Sequence, residues 1–210
     1  LSPSSNPNPA DRIFASNMLN ISLHGTDPSL IRPRQYTSII RSILTGAAEE
    51  TDWIALQHEF ESLVAIAGNS KVPVDTRGAA IEAQASLLKG ILGKLDTSTN
   101  PEGLARAVSS IVLMLRTEFI GLDGAARRDF KTKITGSLAA TVGAGKRAWS
   151  TLHADPKARA AYGNALQQAT VLARLIVGES GTPSTNPADA WKSGKESDYD
   201  TAAAPWANFR

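Results

Sequence analysis

The stretch NPEGLARAVSSIVLMLRTEFIGL, residues 100–122, decides the fold class. Asn100 offers an N-cap acceptor, and Pro101 follows at the position where a helix tolerates proline best. From there Leu104, Val108, Ile111, Leu115 and Phe119 recur at the spacing that lines one face of an α-helix. The same opening recurs at Asn8-Pro9 and at Asp155-Pro156. It predicts one helix from about Pro9 and another from Pro156 to about Val177, with Gly178 as its stop.

Between these anchors the periodicity continues. Tyr36, Ile39, Ile40, Ile43 and Leu44 predict a helix beginning near Gln35. Trp53, Leu56, Phe60, Leu63 and Val64 predict one capped by Thr51 and ending at Gly68. Ile81, Leu88, Ile91, Leu92 and Leu95 predict one capped by Asp75, and Phe130, Ile134, Leu138 and Val142 one starting at Asp123. Gly143 and Gly145 are expected to break or loosen that last helix. The best strand candidate, Val72-Pro73-Val74, carries a proline unsuited to a central ladder. No repeat of fixed period is present. The expected fold is all-α, a helical bundle core with extended N- and C-terminal arms.

The expected organisation is an N-terminal arm with a short helix over 1–34, a helical core over 35–178 and an extended C-terminal arm over 179–210. Residues 1–9 are rich in Ser, Asn and Pro, which predicts an extended start. The following stripe of Ile13, Phe14, Met18 and Ile21 is read as a face that docks on another copy, in a head-to-tail contact that propagates. The C-terminal arm is polar but holds Trp191, Tyr199, Trp206 and Phe209, four of the chain's 12 aromatic residues. They are expected as anchors in pockets of a neighbouring copy or of the chain's own core. Ile13, Phe14, Met18, Trp191, Trp206 and Phe209 are therefore the candidate subunit contacts. A chain beginning with Leu1 reads as trimmed or processed, and nothing near the start resembles a signal peptide.

Charge is unevenly spread over these parts. The formal net charge is +2, yet residues 103–178 carry 11 Lys/Arg against 4 Asp/Glu. Six of those cations, Arg127, Arg128, Lys131, Lys133, Lys146 and Arg147, fall within 21 residues. They are the candidate nucleic-acid contacts, suited to backbone phosphates. A solvated, Arg-rich helical surface is the competing reading. Gly143 to Arg147 is not a P-loop, because position 140 is Ala, position 147 is Arg and no strand precedes it. What remains of it is a pair of glycines whose backbone N–H groups are expected to help hold a phosphate. Trp149 is read as either a base-stacking or a core residue.

Catalytic and metal chemistry find no constellation. His24, His58 and His153 lie on separate segments, and Glu49-Glu50 and Glu59/Glu61 read as solvated helix surface. Gly178-Glu179-Ser180-Gly181 lacks the nucleophile-elbow spacing. There is no cysteine. No enzymatic activity, cofactor, metal or membrane span is expected.

The segment Arg147-Ala148-Trp149-Ser150-Thr151-Leu152, then Asp155-Pro156-Lys157-Ala158-Arg159-Ala160 leading into an Ala-rich helix, resembles the coat proteins of flexible filamentous plant RNA viruses of the potyvirus and potexvirus kind. Arg127-Arg128-Asp129-Phe130 has a similar character, and the likeness covers about residues 125–175. It departs at Ser150, where the family carries an Asp that pairs with its Arg. The resemblance implies a helical core, arms that hold neighbouring subunits, a groove for single-stranded RNA, and residence in a virion or host cytoplasm. The expected function is a self-assembling coat or nucleocapsid subunit, its partners other copies of itself and single-stranded RNA. The alternative is an α-helical assembly or adaptor protein, a phage structural component or secreted helical module, that binds no nucleic acid.

Overall fold

The computed structural model describes residues 3–209, and over them the protein is all-α. Its long helices are α1 (Pro9–Gly25), α2 (Pro33–Glu49), α3 (Trp53–Gly68), α4 (Val74–Leu92), α5 (Pro101–Gly121), α6 (Gly124–Arg147) and α8 (Pro156–Val177). Shorter ones are α7 (Trp149–Ala154), α9 (Pro187–Ser193) and α10 (Glu196–Ala203), the last running into a 3-10 segment, Ala204–Asn208.

The helix starts follow from local chemistry. Asn8, Asn100 and Asp155 all cap as their sequence signatures require, each side-chain oxygen accepting a backbone N–H of the first turn. Asp123 caps α6 in the same way. Asp52 rather than Thr51 caps α3, accepting from Ile54 and Ala55. Asp75 lies in the first turn of α4, which opens behind Pro73 without a side-chain cap. Gly178 ends α8 with φ +77, a conformation that suits glycine.

The helices form two layers. α1 packs on α3, α3 on α5 and α5 on α8; behind them α2 packs on α4 and α4 on α6. Helices of one layer run in the same direction. Ser110 of α5 meets Gln57 at the start of α3, and Arg116 meets Gln168 farther along α8. Successive helices thus alternate between layers, the layout of stacked helical hairpins. The core between the layers includes Phe60, Leu63, Ile81, Leu88, Val108, Leu115, Phe130, Leu138, Leu166 and Leu172, all fully buried.

Three expectations are corrected. Residues 179–209 are not extended. α9 packs on α8, while α10 and the 3-10 segment pack on α6, closing that end of the stack. Burial of Trp191, Tyr199, Trp206 and Phe209 in their own chain drives this. At the other end, α1 packs on the chain's own α3 rather than swinging free. Arg12 pins it through a bidentate pair with Glu50 at 2.6 and 3.0 Å. Of the stripe expected to dock on another copy, Ile13 is half-buried, and Phe14, Met18 and Ile21 are exposed. Lastly, Gly143 and Gly145 sit inside an unbroken α6. A Cβ on Gly145 would collide with the Tyr199 hydroxyl and crowd the Tyr162 ring, so the glycine permits close packing. Leu1, Ser2 and Arg210 lie outside the described residues. Of the expected extended start, residues 3–5 form a turn.

Candidate nucleic-acid interface

The six cations singled out on α6 do not form one patch. Arg127, Arg128 and Lys131 occupy its first turns, whereas Lys146 and Arg147 occupy its last. At 1.5 Å per residue, Lys131 and Lys146 lie roughly 22 Å apart along the axis. Arg127 rests 5.4 Å over the Phe119 ring and donates to the Ile120 carbonyl. Lys133 is turned inward, donating to the Gly78 carbonyl at 2.9 Å and lying 3.6 Å from Glu82. Lys146 pairs with Asp200 at 3.1 Å. Arg128, Lys131 and Arg147 are exposed, and none is in an ion pair among the described residues. The Gly143 and Gly145 N–H groups lie within the helix ladder and offer nothing to a phosphate.

The C-terminal aromatics belong to an internal cluster. Trp149 stacks on His153 at 3.7 Å between ring centres and meets Trp191 edge-on at 5.0 Å. Tyr199 donates to the Val142 carbonyl at 2.7 Å, Tyr162 donates to the Thr141 carbonyl, and Trp191 donates to the Arg159 carbonyl at 2.9 Å. Burial raises both tyrosine pKa values and lowers that of His153. Trp191, Trp206 and Phe209 are thus committed to their own chain and are removed from the subunit contacts. Trp149 is a packing residue here.

A second surface brings cations and aromatic rings together more closely. On the open face of the α3–α5–α8 layer, Arg106 lies 5.9 Å over the Trp53 ring, held by Glu102 at 2.8 Å. Ser109, Ser110, Lys157 and Asn164 complete a hollow of about 450 Å³. It adjoins, through Ala160 and Asn164, a hollow of about 460 Å³ lined by His153, Arg159, Trp191 and Lys192. Arg159 is fixed by a bond to the Lys192 carbonyl at 3.1 Å. Through Leu113 the groove continues into an apolar hollow of about 390 Å³, lined by Val64, Met114, Thr117 and Gly121. One end is therefore cationic and the other apolar. Sequence reading missed this groove because its residues come from five helices. The available clue was that Arg106 and Arg159 each follow a capped proline start, and parallel packing of α5 on α8 brings such starts together.

No family model, curated protein or solved structure matches this chain.

Two carboxyls are buried, Glu118 at the wall of the apolar hollow and Glu59 apart from both surfaces. Glu59 is fully buried, neither oxygen has a hydrogen-bond partner, and burial beside Glu50 pushes its pKa up to about 8. Glu118 is likewise pushed up to about 8 by burial, against one bond from Gln84 at 3.0 Å. For Glu50, burial is outweighed by Arg12 and the Thr51 and Asp52 N–H groups, and its pKa is lowered. These are features of the fold. Among the described residues, no three potential metal ligands gather, and no helix is long and apolar enough to cross a membrane.

Proposed function

We propose that the protein is a non-enzymatic, self-assembling structural subunit that binds single-stranded RNA through backbone phosphates. The observation that carries this reading is the groove across α3, α5 and α8, where Arg106, Lys157, Arg159 and Lys192 alternate with Trp53 and His153. Cations along a track with rings beside it suit sequence-tolerant binding of a single strand. Arg128 and Lys131, exposed in the first turns of α6, lie past the end of α5, away from these cations. Polymerisation of the coat-protein kind is the larger step of the proposal. It is supported by the resemblance over residues 125–175, while the apolar side chains left open on α1 favour self-association.

The test is fluorescence anisotropy of a labelled single-stranded RNA across a salt series. Changing Arg106, Lys157 and Arg159 together to Gln should flatten the log–log salt slope by roughly 2, at about −0.7 per phosphate contact. The variant Arg127→Gln with Arg128→Gln and Lys131→Gln should change it less. If neither set moves the slope, the nucleic-acid reading fails. Electron micrographs of the purified protein with and without RNA test the assembly half. The second reading, a helical adaptor without nucleic acid, is favoured by the apolar end of the groove at Val64, Leu113 and Met114. It predicts no RNA binding at low salt.

A further inference from the structure

The first helix, α1, carries large apolar side chains on its outward face. Its inward face buries Arg12, Ser16 and Leu23, and two inward polar atoms, Ser16 Oγ and Asn20 Oδ1, have no hydrogen-bond partner. Its outward face presents Phe14, Met18 and Ile21, which are 66%, 44% and 54% exposed. These three are spaced i, i+4 and i+7, so they form one ridge along the helix. Three large apolar side chains aligned in water mark a surface covered by another body.

Among the described residues, no other helix packs on the outer side of α1, so the ridge lies at an open end of the layer formed by α1, α3, α5 and α8. The far end is closed by the chain's own C-terminal helices, whose outer residues Lys192, Lys195, Glu196 and Asp198 are charged and exposed. A head-to-tail joint at that end would set the ridge against charges. A joint between two N-terminal ends sets ridge against ridge. The ridge also repeats about its own centre. When two copies of α1 run antiparallel, residue i faces roughly residue 35 minus i of the other. Phe14 then lies opposite Ile21, Met18 sits beside the axis, and Ala10 lies opposite Gly25, where small residues let the helices approach.

Antiparallel pairing also keeps the two Asp11 side chains, each in a first turn, at opposite ends of the joint. Parallel pairing would instead bring Asp11 to Asp11. The outward face carries no Lys or Arg, since Arg12 points inward, which gives an anionic lipid surface nothing to attract it.

We propose that α1 joins two copies of this chain across a two-fold axis near Met18, ridge against ridge and antiparallel. This deepens the self-assembly half of the function proposed above and is independent of the nucleic-acid half. The contact closes on itself, so it makes a dimeric building unit; any longer particle grows through other surfaces. A 17-residue helix is roughly 25 Å long, so the joint lies at or below the small end of stable interfaces, about 1,200 Å² in total. The dimer is accordingly weak and concentration-dependent.

The chain has no cysteine, so introduced thiols report the contact without background. Without RNA and under mild oxidation, Met18→Cys should form disulfide-linked dimers. A mixture of Phe14→Cys and Ile21→Cys should cross-link more than either alone. In sedimentation of the full chain, Met18→Glu should weaken the dimer at least roughly tenfold while its thermal melt matches the parent's. A parent chain that stays monomeric across the concentration series overturns the proposal. So does preferential linking of Phe14→Cys to itself, or of Met18→Cys to a Leu113→Cys partner in the apolar groove. Loss of RNA binding alone would leave these outcomes unchanged, which separates failure of this contact from failure of the nucleic-acid reading.

Discussion

Replacing Glu59 with Gln should stabilise the fold by an amount that grows with pH. In the folded chain burial holds the Glu59 carboxyl protonated to about pH 8, whereas its ordinary value is 4.5. Below pH 4.5 both folded and unfolded chains carry the proton, so the group contributes no slope. Above it the unfolded chain releases the proton while the folded chain keeps it. Stability therefore falls as pH rises, by about 1.4 kcal/mol per pH unit, until the folded carboxyl ionises near pH 8. At pH 7 the accumulated loss is on the order of 3 kcal/mol, a large share of a typical folding free energy. Gln has nearly the same shape and no charge to release, so it removes this slope. Its amide remains unpartnered, as the carboxyl oxygens are now, so the polar burial cost stays. Glu50 and Asp123, whose pKa values are lowered, lend stability that is lost as pH falls. That contribution is common to both chains and largely drops out of the difference. Urea unfolding followed by circular dichroism at pH 5, 6, 7 and 8 measures it directly. The expected gain is just under about 1 kcal/mol at pH 5 and about 3 kcal/mol at pH 7. A gain or loss that is the same at every pH would refute the buried-carboxyl reasoning.

Other positions give equally direct outcomes. Arg12→Met leaves Glu50 buried without its partner and should cost about 3–5 kcal/mol in urea unfolding. Gly145→Ala forces Tyr199 and Tyr162 away from α6 and should lower stability by about 1–3 kcal/mol, visible as a fall in melting temperature. Tyr199→Phe removes only the bond to the Val142 carbonyl, which keeps its place in the helix ladder, and should cost about 0.5–1.5 kcal/mol. Removing residues 179–209 strips Trp191, Tyr199 and Trp206 from the core. It should abolish the cooperative near-ultraviolet melt; a truncated chain that still melts cooperatively at the parent's temperature would show the C-terminal helices to be dispensable.

Local chemistry wrote much of this structure into the chain. Asn8-Pro9, Asn100-Pro101 and Asp155-Pro156 start helices because a short acceptor side chain satisfies free N–H groups wherever it occurs. The inward faces of α3, α5, α6 and α8 follow from period alone, since apolar residues on one side of a helix must be buried against something. Period does not say against what, and there the tertiary structure decided. Phe14, Met18 and Ile21 form a stripe of helical period, yet they face out and α1 docks by Arg12, because the Glu50 carboxylate waits beside α3 to receive its guanidinium. Residues 179–209 have the composition of an arm, yet four aromatic rings fold them back onto α6 and α8, where Gly145 and Gly163 leave room. The groove of Arg106, Trp53, Lys157 and Arg159 was invisible for the same reason. Its members lie up to 106 positions apart in the chain, and only parallel packing of helices within one layer sets their starting turns side by side.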